Sequence, residues 1–504
     1  MPISWSICFD WDNDETYAYN EEARVLSLSI ERGRPDQFSP FAAGKAVLSL
    51  ENQDRRFDPW YASSPLYGRV MPGRRVRIEA NVGADLVLTS ASDILAASSA
   101  DTIAWQSYPV FIGRIEDIEP TGDIGKRRVS ITAYDDLRVL GQVDTPTALR
   151  TNLLTYSAIF YILAEAGWTA AKENLGTGGD SISYWWTPGG EVAKKLIDDL
   201  VLSEGGAFFI SRSGIATHYD RAALLTLTTA GSLDEANVAD LRLVNPWEVI
   251  YNIIKIRCRP VVLAATAEIW KLEETGVFLA QGGSLEIWAE YHDANGAPCA
   301  AQSVITPAAV TDYAAWTSID GLSGSNMTAS LSITVNKYST WAKLTLTNVH
   351  PTAVGLYVTL LRLRGDALSQ TPTTIRKEDP TSQAAYGKHA LSIDTLWKQS
   401  VIDATDMATS LINFYATPHA SLTAVLDNLF PDLLAYELLD KLTVTIGSYS
   451  INSTFRLGAL RLWTGQTMQD LKGEFSLEAC DTTVYWFVGV AGNSEVGMTT
   501  RLGY

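Results

Sequence analysis

Alternation of apolar and polar side chains marks the first part of the chain. Arg24-Val-Leu-Ser-Leu-Ser-Ile30, Ala46-Val-Leu-Ser-Leu50, Arg75-Val-Arg-Ile78 and Arg128-Val-Ser-Ile-Thr132 each repeat with period two. That period buries one face of a strand and wets the other. Turn residues separate the runs at Arg32-Gly-Arg-Pro35, Met71-Pro-Gly73 and Pro120-Thr-Gly122. Short strands with turns between them predict a β-barrel or sandwich over residues 1–147. Gly83 to Trp105, rich in Ala, Ser and Asp, reads as a long excursion between two of its strands.

The period changes over 148–237. Leu154, Ala158, Tyr161 and Ile162 fall at helical spacing ahead of Gly167, and Val192, Leu196, Leu200 and Val201 do so ahead of Gly205-Gly206. With strands at Ala207–Ile210 and Ile215–Tyr219 this is a small α+β domain. Residues 238–265 and 369–484 read as one split domain, a second β-barrel carrying the longest helix. Val401, Ala404, Ala408, Leu411 and Tyr415 line one face of that helix, and Asp394 is placed to cap its start. Strands follow at Lys441–Ile446, Phe455–Trp463 and Glu474–Ala479. Between the halves, 266–368 has the short strands and Ala/Ser/Thr/Gly loops of an inserted β-sandwich. Residues 485–504 read as an extended C-terminal tail. The fold class expected is mainly β with α+β.

Composition narrows the function. The 504 residues are 46% hydrophobic and 19% charged, an ordinary folded composition. At roughly 100–200 residues per domain, about three to five domains are expected. Lys and Arg number 39 against 57 Asp and Glu, a net charge of -18. This argues against a general nucleic-acid or anionic-membrane binder. The N-terminus has no basic, apolar signal-peptide pattern, and no apolar run nears the roughly 20 residues of a bilayer span. A soluble protein made in the cytoplasm is expected.

Candidate chemistry is sparse. Cys8, Cys258, Cys299 and Cys480 are scattered, as are His218, His292, His350, His389 and His419, so neither a disulfide framework nor a metal cluster is expected. Asp10, Asp12, Asp14 and Glu21 match a calcium loop in spacing, but Glu15 stands where that loop needs glycine. An acidic hairpin is the preferred reading. Asp135-Asp136 and Asp198-Asp199 are adjacent pairs that point apart and are read as solvated faces. Gly321-Leu-Ser-Gly324 is one residue short of a nucleophile elbow, and Asn326-Met-Thr328 is a chance sequon. No catalytic, cofactor-binding or metal residue is assigned. Tyr184-Trp-Trp186 and Tyr485-Trp-Phe487 are aromatic clusters, read first as core. Trp270, Trp288, Tyr291, Trp316 and Trp341 offer the alternative function, a carbohydrate-binding protein or glycosidase built on the insertion.

The order of weak motifs resembles one family. Arg32-Gly-Arg34, Gly44-Lys-Ala-Val-Leu-Ser-Leu-Glu-Asn-Gln-Asp-Arg-Arg-Phe-Asp-Pro59, Met71-Pro-Gly-Arg-Arg-Val-Arg-Ile78 and Val110–Ile118 are similar to the opening of tailed-phage minor tail proteins of the tail-hub type. Val129–Asp136, Glu204-Gly-Gly-Ala-Phe-Phe-Ile210, Leu361-Arg-Leu-Arg-Gly365, Ala416-Thr-Pro418 and Thr499–Tyr504 continue the likeness. The resemblance implies a non-enzymatic virion protein at the tail tip. It implies two tail-tube-like barrels per chain and a homotrimer, giving a pseudo-sixfold ring. Its partners would be the distal tail-tube ring, the tape measure protein C-terminus and other tail-tip or fibre proteins. DNA would be met only in transit, with a host surface as a further contact. An acidic inner wall that lets DNA slide is the role then expected for the negative charge.

Overall fold

The computed structural model describes residues 3–83, 105–122, 126–244, 247–274, 276–352, 354–428, 432–480, 485–486 and 501–502. The excursion 84–104 and most of 485–504 lie outside the described residues. Tyr485–Trp486 pairs in parallel with Arg501–Leu502.

One thirteen-stranded sheet organises the molecule. Its twelve main strands are β1 (Ile3–Asp10), β2 (Val25–Gly33), β3 (Ala42–Glu51), β4 (Arg75–Gly83), β5 (Trp105–Thr121) and β6 (Arg128–Tyr134), then β7 (Thr229–Asp234), β8 (Asp240–Val244), β9 (Ser421–Asp427), β10 (Lys441–Ile446), β11 (Ile451–Thr464) and β12 (Leu471–Ala479). The alternation read from sequence is what buries them. Ala46, Leu48 and Leu50 of β3 are fully buried, whereas Lys45, Val47 and Ser49 on its other face are only half-buried.

The two halves repeat one topology. The first runs β1-β4-β5-β6-β3-β2 across the sheet, and the second runs β7-β10-β11-β12-β9-β8. Even the irregularities recur. A bulge interrupts β5 between Ile115 and Asp117 against β6, and another interrupts β11 between Leu457 and Ala459 against β12. Ile115 exchanges backbone hydrogen bonds with Gly73 and Arg74, as Leu457 does with Leu439 and Asp440. The halves differ in that β1 is antiparallel to β4 whereas β7 is parallel to β10.

Two tail-tube-like β-barrel domains were expected. Among the described residues neither half closes. β2 pairs instead with β11, from Ser29 opposite Trp463 to Gly33 opposite Ala459. An unpaired strand edge is costly to leave open, and here each half supplies an edge to the other.

Helices α1 (Thr155–Glu165) and α2 (Ala193–Glu204) pack together through Ala158, Ile162, Leu196 and Leu200, beside the hairpin Ala207–Ile210 and Ala216–Tyr219. α2 stops at Gly205, whose φ of 79° suits glycine at a helix end. Helix α3 spans Val401–Tyr415 and is capped by Ser400, which accepts from the Asp403 N–H at 3.1 Å. Asp394 does not start it. That residue ends the strand Ala390–Asp394, which is parallel to Ile253–Cys258. Pairing with a buried strand overrides the helical spacing there. Ile254, Ile256, Ala404, Met407 and Ala408 form the core beneath α3.

Within 266–368, the strands from Ala267 onward fall into two sheets around a core of their own. Leu356–Gln370 pairs with five strands, and Trp341–Asn348 lies between Ser284–Glu290 and Leu331–Lys337. Ile269, Tyr291, Leu344, Leu346, Leu356 and Leu363 belong to that core.

Candidate functional site

The acidic hairpin is occupied by its own hydrogen bonds. Asp10 accepts from the Asp14 and Glu15 N–H groups at 3.1 and 3.0 Å. Asp12 accepts from Tyr19 at 2.8 Å and faces Arg69 at 3.0 Å, while Glu21 takes Arg56 at 2.7 Å. Its carboxylates therefore stabilise the turn rather than converge on a cation. Among the described residues no group of three or more His, Cys, Asp or Glu is arranged to hold a metal. Cys8, Cys258 and Cys480 are buried and Cys299 is half-buried.

Asp135 and Asp136 correct the expectation of a solvated face. They are 4% and 5% exposed. They sit where β6 turns into a short helix, so both carboxylates fold inward. Asp135 accepts from the Gly44 and Leu137 N–H groups at 2.7 and 3.0 Å, and burial pushes its carboxyl up to about 7. Asp136 faces Arg75 at 3.1 Å and Arg114 at 2.9 Å. Asp198 and Asp199 are half-buried, and Asp198 pairs with Lys194 one helical turn away.

The aromatic candidates divide. Trp185 is buried, and Trp186 meets Trp397 edge-on at 5.2 Å, so that cluster is core. Tyr291 is fully buried, and Trp270 packs against the insertion's core. Trp288 and Trp341 do come together, 4.7 Å between rings, with Tyr338 3.8 Å from Trp341. Trp288 is 59% exposed. Trp341 also donates to the Pro188 carbonyl at 3.3 Å, and Ser339 donates to that of Thr187 at 2.5 Å, tying insertion to α+β unit.

The arrangement with most reach is the seam between the halves. On its buried side Arg32 of β2 bonds Glu437 at 2.7 Å and the Ile210 carbonyl at 2.6 Å. Glu437 also accepts from the Arg212 N–H at 2.8 Å. Burial pushes the Glu437 carboxyl up, but Arg32, Arg212 and the backbone N–H groups offset this and hold it below its ordinary value. Both halves and the α+β unit meet in this cluster. The sequence singled out Arg32-Gly-Arg34 as a turn, but Glu437 carries no local signal.

On its other side the seam is polar. Backbone register aligns a row across the sheet: Glu474, Arg461, Glu31, Lys45, Tyr134 and Arg114. The next row runs Asp427, Lys472, Trp463, Ser29, Val47, Thr132 and Asp117. Arg461 and Glu31 pair at 3.1 Å, and Lys472 and Asp427 at 3.5 Å. Exposed pairs of this kind contribute about 0–1 kcal/mol, so they set the character of the face rather than its stability. A separate cavity of about 420 Å³ lies between the end of β2, α2 and α3, lined mainly by apolar groups such as Phe41, Leu224 and Met407.

No protein-family model matches the chain, and no curated protein matches it. Solved structures do. The tail protein from Neisseria meningitidis MC58 superposes with a TM-score of 0.50 at 9% identity, covering 95% of this chain and 96% of that one. The 43 kDa tail protein of prophage MuSo2 from Shewanella oneidensis superposes with a TM-score of 0.51 at 11% identity, covering 94% and 98%. At such identities fold is what is shared, over nearly the whole of both chains. The fold of this chain is that of these two tail proteins.

Proposed function

We propose that the chain is a structural, non-enzymatic virion protein that forms a trimeric hub at the tail tip. The repeated half is the observation that carries this reading. Two halves of equal strand order, joined edge to edge, are two of six quasi-equivalent positions in a ring of three chains. Residues 1–147 supply one tube-like unit. Residues 238–265 and 369–484, extended by Thr229–Asp234, supply the other. The α+β unit and the insertion would decorate the outside or the distal end.

The polar face of the sheet would line the channel that the tape measure and then DNA traverse. On this reading the wall is not uniformly acidic, as the charge count led us to expect. Acidic and basic side chains alternate along the row Glu474, Arg461, Glu31, Lys45, and the next row is mostly uncharged, leaving little net field to hold a passing polyanion.

Light scattering on the purified chain tests assembly. A mass of about 165 kDa, three times 55.0 kDa, is expected. Antibody against the chain should label the tail tip of particles, and label confined to the capsid would end the proposal. A second reading, glycan binding by the insertion, is favoured by the exposed Trp288 beside Trp341 and Tyr338. A glycan array with Trp288→Ala as comparison decides it.

A further inference from the structure

The seam inside the chain has two matching edges at the far ends of the sheet. Among the described residues no strand pairs with the outer edge of β5 beyond its bulge, Asp117–Thr121, or with the outer edge of β8. These are the repeat counterparts of the two strands that make the seam. β5 corresponds to β11, and β8 corresponds to β2. Resting on the ring reading above, we infer that β8 of one copy adds antiparallel to Asp117–Thr121 of the next, in the register of the internal seam.

The register follows from the repeat. The bulges equate Asp117 with Ala459, hence Glu119 with Arg461 and Thr121 with Trp463. Pairing across the sheet runs Asp117, Thr132, Val47, Ser29 in one half and Ala459, Ser476, Thr423, Arg242 in the other. Ser29 therefore corresponds to Arg242, and Glu31 to Val244. Within the seam Ser29 lies opposite Trp463 and Glu31 opposite Arg461. Between copies, Arg242 then lies opposite Thr121, and Val244 opposite Glu119.

Side-chain chemistry fits this placement. Arg242 and Glu119 are both exposed. They become diagonal neighbours, within reach of long side chains, and would pair as Arg461 and Glu31 do. On the other face Leu243, half-buried against the core, lies opposite Pro120 and diagonal to the half-buried Ile118. Pro120 lies opposite Leu243 in this register and already pairs with Val129 on its inner side. It offers a carbonyl but no N–H to the incoming strand. The contact is head to tail, because the two surfaces differ, and such a contact must close into a ring or run on as a filament.

The test is a cysteine pair in the full chain, Thr121→Cys with Arg242→Cys, oxidised with copper phenanthroline. Expected are non-reducing bands at two and three chain masses, lost on reduction, with a 121–242 peptide by mass spectrometry. Ser29→Cys with Trp463→Cys is the internal control and should link within one chain. Thr121→Cys with Val244→Cys, two residues out of register, should link several-fold less. A 165 kDa species whose control links while 121 and 242 do not would overturn the pairing and leave the ring standing. A monomer at every concentration would contradict the ring and the pairing with it.

Discussion

Asp135 shows how far one residue can depart from its sequence appearance. Buried between Gly44, Leu137 and Arg32, its carboxyl rises from 3.8 to about 7. Over that interval the unfolded chain ionises here while the folded chain holds its proton. The unfolded state then binds fewer protons, so stability falls as pH rises from about 4 to about 7 and levels off above. The loss is on the order of 4 kcal/mol. Asp135→Asn should remove this part of the slope in a plot of melting temperature against pH. An unchanged slope would place Asp135 in an ordinary ionised state. The sequence reading took Asp135-Asp136 for a solvated face and missed their burial. Adjacent carboxylates read as solvated unless their backbone partner, here Gly44 on a neighbouring strand, is known. The Arg32–Glu437 pair was equally hidden, since its members stand 405 positions apart. Leaving such a buried Arg without its partner costs about 3–5 kcal/mol.

At the scale of elements, strands with clean alternation were legible, and Lys441–Ile446 was read at its true bounds. Thr229–Asp234 was not, because Thr-Ala-Gly-Ser-Leu-Asp buries only Leu233 and carries no period. Which strand joins which edge was also invisible. Alternation fixes the face a strand buries, not its neighbour. The seam rests on Gly33, whose φ of 134° excludes ordinary side chains. A Cβ there would stand 2.4 Å from Ala459 Cα, which is backbone and cannot step aside. Gly33→Val should therefore cost about 3 kcal/mol or more and loosen the halves. Hydrogen exchange should rise along β2 and β11 ahead of β4 and β1. Uniform exchange, or wild-type stability, would mean that the halves are held by other contacts.

At the scale of the molecule, we propose that the insertion is a separable unit. It has its own core, and its ends are brought together where Val261–Leu263 pairs with Leu368–Gln370. Replacing residues 264–367 by a short turn should preserve the main sheet and the trimer mass, losing the Ser339 and Trp341 bonds to Thr187 and Pro188. A deletion variant that aggregates or stays monomeric would show that the insertion helps to build the assembly. The sequence conveyed that the chain had barrel-like halves and a tail-hub order of motifs. The fusion of those halves into one repeated sheet appeared only in three dimensions. Cryo-electron microscopy of the purified chain, reconstructed without imposed symmetry, tests that picture most directly. Three copies around an axis are expected, walled by a continuous sheet, with Glu31, Lys45 and Arg461 facing the channel. A monomer, or a ring that turns this face outward, would contradict it.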